Sequence, residues 1–277
     1  MLILLILLML ALLLRADVTM TAASAACRLF VTAVLPGLFP YMVLSMMLVS
    51  RVRRISPVLV MLLGWGGGSP TGARLLPMCA GLTRREQVRL AVSCATMSPM
   101  FLLGTIGGWL GSSAVGVVCL ISVVAGGWLT GLLAGIRAHT SSSEFRIPNS
   151  ENFPPLSFGA AVEASARTML LVCGTMVMLR IFATLAAEIL PSGLVLPVTT
   201  LLEVTTGTAE IARLPLPLMW RTALIAGATG FGGMAIILQN RAVYPQGFLP
   251  LGAQVGWQAL HGGMSFLLAL GLMWMVG

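Results

Sequence analysis

The chain contains no lysine and little charge of any kind: 16 arginines and eight acids make up 9% of its 277 residues. A soluble domain carries about 25% charged residues, so a water-exposed globule is excluded. The arginines flank apolar runs rather than forming one stripe, which argues against a nucleic-acid face. Anionic lipid headgroups are the expected partner of the +8 formal charge. Cysteine is sparse and unpatterned: Cys27, Cys79, Cys94, Cys119 and Cys173 are odd in number and never spaced as CxxC. They read as small apolar packing residues, with no disulfide framework and no zinc site. Only His139 and His261 carry imidazoles, and no nucleophile with a base, zinc ligand set or phosphate loop is recognisable. The sequence points away from an enzyme and calls for no cofactor.

What is present is apolar: 58% hydrophobic residues and a mean hydropathy of +0.99, the make-up of an all-α polytopic membrane protein. Met1 to Leu14 lacks a basic leader and a small-residue cleavage site, so it reads as a retained helix, although a span needs about 20 residues. Ala26 to Ser50 reads as a span interrupted at Leu35-Pro36-Gly37, and Pro57 to Ala80 as two half-helices meeting near Gly68. Gln87 to Leu110 and Ser113 to Ile136 read as spans, and the polar, proline-bearing stretch from His139 to Ser157 as a cytoplasmic linker. The second half repeats the order: an interfacial lead-in Phe158 to Arg167, a span Thr168 to Leu190, a broken hairpin Leu194 to Leu214, then spans Trp220 to Asn240 and Gln254 to Val276. The expected domains are an N-terminal helix over residues 1–25, a first repeat over 26–138, the linker over 139–157 and a second, inverted repeat over 158–277.

Charge placement gives an independent topology. With both broken segments re-entrant, Arg51, Arg53, Arg54, Arg84, Arg85, Arg89, Arg137, Arg146, Arg167 and Arg241 share one face, and Arg15, Arg28, Arg213 and Arg221 the other. The arginine-rich face is then cytoplasmic. Equivalent elements become separated by an odd number of crossings, which gives inverted repeats.

The breaks are the candidate site. Gly66 to Arg74 and Leu202 to Glu210 are rich in glycine, serine and threonine, and a bilayer cannot hydrogen-bond the backbone groups such sequence frees. Paired interruptions of this kind mark substrate sites of secondary transporters. At the first, Gly68, Ser69, Thr71 and Gly72 are expected to present free amides at a half-helix N-terminus, where an anion is the natural guest. A plain packing kink is the alternative. At the second, Glu203, Thr205 and Thr206 are expected to face a cavity, because a carboxylate at the bilayer centre costs on the order of 2.5–3.5 kcal/mol. Glu203 could accept from a substrate, ligate a coupling proton or sodium ion, or form an ion pair with Arg74; Glu210 could lie near the surface beside Arg213. Arg180, at the middle of its expected span, could bind substrate or pair with Glu188 or Glu203. Ser98-Pro99 and Gly230-Phe231-Gly232-Gly233 interrupt the helices after the hairpins, so Ser98, Gly230, Gly232 and Gly233 complete a four-element site. Gln239-Asn240 is either more polar lining or an ordinary helix end. His261 reads as a hydrogen-bonded packing residue, with a proton relay as the alternative.

Leu38-Phe39-Pro40, Gly68 to Arg74, Pro99-Met100-Phe101, Leu202 to Gly207, Gly230 to Gly233 and Leu260-His261-Gly262 give the chain, from about Leu35 onward, a resemblance to a known group. It resembles the sporulation integral membrane proteins of the YlbJ/SpoVV type, within the nucleoside-recognition (Gate) group. The resemblance implies a fold similar to concentrative nucleoside transporters and movement of dipicolinate across the outer forespore membrane. It differs at two motif positions, with Ser98 where an asparagine is expected and Arg74 in place of a lysine. Other expectations are a nucleoside or another small carboxylate as substrate, or a non-transporting membrane assembly or signalling component of sporulation.

Overall fold

A computed structural model describes residues 2–52, 56–79, 82–138 and 155–276. The described residues form helices joined by short turns, without strands. Four helices are long and apolar enough to cross a membrane: Ala16–Arg51, Ser113–Ala138, Phe158–Ala187 and Leu218–Val243. Leu44, Leu133, Leu170 and Leu267 are exposed on long helices, a surface suited to lipid rather than water. The chain thus has the architecture of an integral, polytopic membrane protein. Arg53, Arg54, Arg146, His139 and most of the expected linker lie outside the described residues.

Several boundaries differ from the sequence expectation. The N-terminal helix Leu2–Leu14 ends at Arg15, and the next helix runs without a break from Ala16 to Arg51, so residue 25 lies inside a helix. Leu35-Pro36-Gly37 does not interrupt it. The turn before the proline widens instead: Phe30–Val34 is π-helical, and the amide of Leu35 reaches back to the carbonyl of Phe30. Pro36 removes a donor and crowds the preceding turn, and a π-turn absorbs both without stopping the helix.

Phe158–Ala187 is one 30-residue helix rather than a lead-in followed by a span. Ser157 caps it by accepting from the amide of Ala160. Nothing at Ala166-Arg167-Thr168 stops propagation, and Arg167 pairs with Glu163 one turn back at 2.8 Å. Gln87 to Leu110 is the reverse case. It comprises a helix Arg84–Ser93, irregular chain through Ser98, a π-helical stretch Phe101–Ile106 and the turn Gly107–Trp109.

The two broken segments are built alike. Pro57–Gly67 ends at Gly68 and is followed by the short helix Thr71–Leu75 and the turn Leu76–Met78. Ser192–Leu202 ends at Glu203 and is followed by Val204–Ile211. In each, the two limbs pack together through glycine: a methyl on Gly72 would lie 3.4 Å from the Cα of Gly64, and one on Gly207 would lie 2.5 Å from the Cα of Thr200. The helix after the second segment is also divided, with Leu218–Phe231 and Gly233–Val243 meeting at Gly232, whose φ is +77°.

Two cores hold these parts, and each draws on both halves of the chain. One packs Met42, Met46, Val60, Leu75 and Leu76 against Met169, Val172 and Phe248. The other packs Phe101, Leu102, Cys119 and Val123 against Ile211, Ile225 and Ala269. Lipid is as apolar as leucine, so close contact and polar bonds, rather than exclusion from water, hold such helices together. Gly127, Gly131 and Gly135 form a four-residue repeat facing Arg85, Arg89 and Ser93 of the neighbouring helix. A methyl on Gly131 would lie 2.8 Å from the carbonyl oxygen of Arg89. Gly131→Leu should therefore destabilise the protein by about 1–3 kcal/mol, read as a lower thermal midpoint in detergent; Gly159→Leu, where a methyl meets nothing, should leave the midpoint unchanged.

Candidate functional site

The irregular chain from Cys94 to Ser98 frees backbone groups that a bilayer cannot satisfy. The protein supplies partners from several elements. The Trp65 indole donates to the carbonyl of Ser93 at 3.0 Å, the Gln258 amide to that of Ala95 at 3.3 Å, and the Tyr244 hydroxyl to that of Ala91 at 3.2 Å. The Ser69 backbone amide donates to the carbonyl of Thr96 at 2.6 Å. This last bond seats the tip of the first broken segment on the break. Gly68 has a φ of +67°, and a methyl there would come within 2.4 Å of the Ser98 nitrogen, so the contact requires glycine. Ser98 starts the next helical stretch: its hydroxyl accepts from the amide of Phe101 at 3.3 Å, and Pro99 follows where a missing donor costs least.

The second broken segment meets its break in a similar way. Gly233 packs against the carbonyls of Thr200 and Leu201 and the amide nitrogen of Val204, where an added methyl would lie 3.3 Å from each. Glu203 joins the two limbs. It is 1% exposed, and its carboxylate oxygens accept from the amides of Thr205 at 2.9 Å and Thr206 at 2.7 Å. It is the N-cap of Val204–Ile211, a place where negative charge is favoured.

The tips therefore do not offer the free amides expected from sequence. Ser69 donates to Thr96, Thr71 and Gly72 donate to the carbonyl of Gly68, and Thr205 and Thr206 donate to Glu203. An irregular tip that is buried satisfies its amides with its own chain. Nor does Glu203 pair with Arg74 or Arg180 among the described residues. Arg180 lies 4.0 Å from Glu210 instead, and Arg15 pairs with Glu188. Arg180 sits seven residues before the end of its helix at Ala187.

Both tips, the first break and the helix that follows the second break nevertheless border one cavity. Ser69, Ser98, Glu203, Thr205, Ile236 and Gln239 line a space of about 40 Å³, room for one or two waters. Around it, Ser69 donates to Asn240 at 2.5 Å and Gln239 donates to Thr175 at 2.8 Å. Gln239 lines the cavity, Asn240 joins the halves through Ser69, and the helix end lies further on, at Val243. Thr71 and Gly72 are buried behind the first tip, and Gly72 presses on Cys94. Gly232 packs on Ile236 of the cavity wall, whereas Gly230 packs on Ser265, away from the lining.

Thr206 and Arg180 line a different and larger cavity, of about 650 Å³, together with Arg28, Glu210 and Arg213. The helix Val204–Ile211 is the wall between the two spaces. Sequence reasoning missed Arg28 as a site residue. It placed the start of the span at Ala26, beside Arg28, whereas the helix begins at Ala16, twelve residues before Arg28. His261 is fully buried eleven residues into Leu251–Val276, with Nε2 2.9 Å from the carbonyl of Val123 and Nδ1 3.4 Å from Gln258. That is the hydrogen-bonded packing role, and Gly126 and Gly127 make room for it. Cys79, Cys94 and Cys119 are free and buried.

No family model, curated protein or solved structure matches the chain.

The cap defines what Glu203 variants should do. Glu203→Ala removes both acceptors at the Thr205 and Thr206 amides and should cost about 1–2 kcal/mol. Glu203→Gln keeps one acceptor oxygen and should lose less than half of that. Thermal unfolding of the two variants in the same detergent checks the order.

Proposed function

We propose that the protein is a membrane transporter for a small anionic solute, working by alternating access between two inverted repeats. Each repeat comprises a re-entrant hairpin followed by an interrupted membrane helix. The observation that carries this reading is the shared polar cavity: Ser69 and Ser98 from the first half border it with Glu203, Thr205 and Gln239 from the second. Four irregular segments converging at depth are costly to build, and a plain scaffold has no use for them. Arginine geometry favours the same topology. Arg84 and Arg241, from one proposed face, donate to the adjacent carbonyls of Phe248 and Leu249, and Arg28 and Arg213, from the other, line a common cavity.

At about 40 Å³ the inter-half cavity is closed around less than any such solute. Passage requires the halves to separate at contacts such as Ser69 with Asn240, which is what rocking of one repeat against the other provides. Glu203 is the carboxylate in that lining and suits a proton or sodium ion as coupling cation. Dipicolinate is the substrate favoured by the resemblance to YlbJ/SpoVV-type proteins, with the outer forespore membrane as the place of action. A neutral, donor-rich solute such as a nucleoside is the second reading. It is favoured by the hydroxyls, amide and single carboxylate of the lining, which among the described residues includes no arginine.

Uptake into proteoliposomes decides between these readings. Labelled dipicolinate should enter saturably, compete with other dicarboxylates and not with uridine, and be lost in Glu203→Gln at unchanged protein incorporation. Uridine uptake in its place would favour the nucleoside reading. No flux of either solute above that of empty vesicles would leave the assembly or signalling reading standing and sink transport.

A further inference from the structure

The larger cavity carries a site of its own. It lies between the helix Ala16–Arg51, the last third of Phe158–Ala187 and the helix Val204–Ile211, with a volume of about 650 Å³. That falls within the ordinary range of small-ligand pockets, about 300–1,000 Å³. Three guanidinium groups, from Arg28, Arg180 and Arg213, face one carboxylate, Glu210.

The guanidinium donors are largely unused. Arg28 and Arg213 form no ion pair and no side-chain hydrogen bond among the described residues. Arg180 meets Glu210 only at 4.0 Å, the far limit of an ion pair, and its Nε is buried without a hydrogen-bond partner. Thr206 lines the same space, and its backbone amide is already taken by Glu203. Each guanidinium presents five N–H donors in a planar fork matched to carboxylate and phosphate. The cavity is therefore rich in donors, poor in acceptors and positive by two charges.

We infer that this cavity binds an oxyanion with two or more acceptor oxygens, a dicarboxylate or a phosphate group, with Arg28 and Arg213 holding it at the mouth and Arg180 beneath. The anion takes up the idle donors and competes with Glu210 for Arg180. Binding here stands on the cavity's own geometry. Whether a bound anion goes on to cross the membrane rests on the transport reading above. The same chemistry is offered by a soluble dianion and by a lipid headgroup, since basic pockets between membrane helices also take lipid phosphates.

The test is calorimetric titration of the full-length protein in nanodiscs. In discs of phosphatidylcholine alone, dipicolinate or inorganic phosphate should bind saturably, more weakly as salt rises, and uridine should not. Arg28→Gln and Arg213→Gln should each weaken binding about tenfold, and Arg28→Lys should recover part of it. Arg167→Gln, which removes an equal charge from an exposed ion pair elsewhere on Phe158–Ala187, should change nothing. Both mouth residues are exposed, so their variants test the site without disturbing a buried charge. Discs containing phosphatidylglycerol separate the sources: if that lipid blocks the soluble anions in an Arg28- and Arg213-dependent manner, the headgroup is the resident oxyanion. Failure of every anion to bind in either disc, or binding indifferent to both glutamine variants, overturns the assignment. Glu203→Gln should keep full binding even where flux is lost, and binding without flux in the parent protein would sink transport while leaving this site in place.

Discussion

Everything in this fold answers to one constraint: a backbone N–H or C=O freed from a helix among buried residues must find its partner within the protein. The chain frees such groups at Gly68, from Cys94 to Ser98, at Glu203 and at Gly232. It resolves them by setting broken segments against breaks. The Ser69 amide answers the Thr96 carbonyl, the Glu203 carboxylate answers the Thr205 and Thr206 amides, and Gly233 lets the second break sit against the limbs around Glu203. Remote side chains complete the set, with Trp65, Tyr244 and Gln258 each reaching a carbonyl on or beside the first break. Because those partners come from distant parts of the chain, local irregularity and global packing are a single problem here.

The same solution sorts the polar groups into two chambers. Glu203 turns its carboxylate onto its own helix start, where the Thr205 and Thr206 amides donate to it, and hydroxyls and amides make up most of the polar lining of the inter-half cavity. One residue further on, Thr206 faces the opposite side of the helix Val204–Ile211, toward Arg28, Arg180 and Arg213. A helix of eight residues thus separates a small chamber lined mainly by hydroxyls and amides from a larger cationic one. The guanidinium groups of Arg28, Arg180 and Arg213 therefore lie on one side of this helix, and the lining of Ser69, Ser98, Thr205 and Gln239 on the other.

Glycine makes these arrangements affordable in two distinct ways. At Gly68 and Gly232 it supplies positive φ where chain direction changes. At Gly127, Gly131 and Gly135 it only removes bulk, allowing Ser113–Ala138 to ride close on Arg84–Ser93. Close approach matters more in lipid than in water, because dispersion and polar bonds must do what burial does for a soluble core. His261 shows both at once: its ring occupies space opened by Gly126 and Gly127 and bonds the carbonyl of Val123.

Much was legible from the amino-acid order alone. Membrane class follows from scarce charge and long apolar runs, and the breaks follow from Gly66-Gly67-Gly68, Ser98-Pro99, Glu203 and Gly232, because local chemistry sets where a helix stops. Yet local chemistry misjudged Leu35-Pro36-Gly37, where a widened turn carried the helix through, and Arg167-Thr168, where nothing stopped it. What order could not decide was partnership. That the Ser69 amide meets the Thr96 carbonyl, that Arg180 meets Glu210 rather than Glu203 or Glu188, and that Arg28 and Arg213 line one cavity all depend on the folded chain bringing together residues up to 185 positions apart. Helix ends are set within a few residues of themselves, whereas charge and hydrogen-bond pairing at depth is set by which helices the folded chain brings side by side.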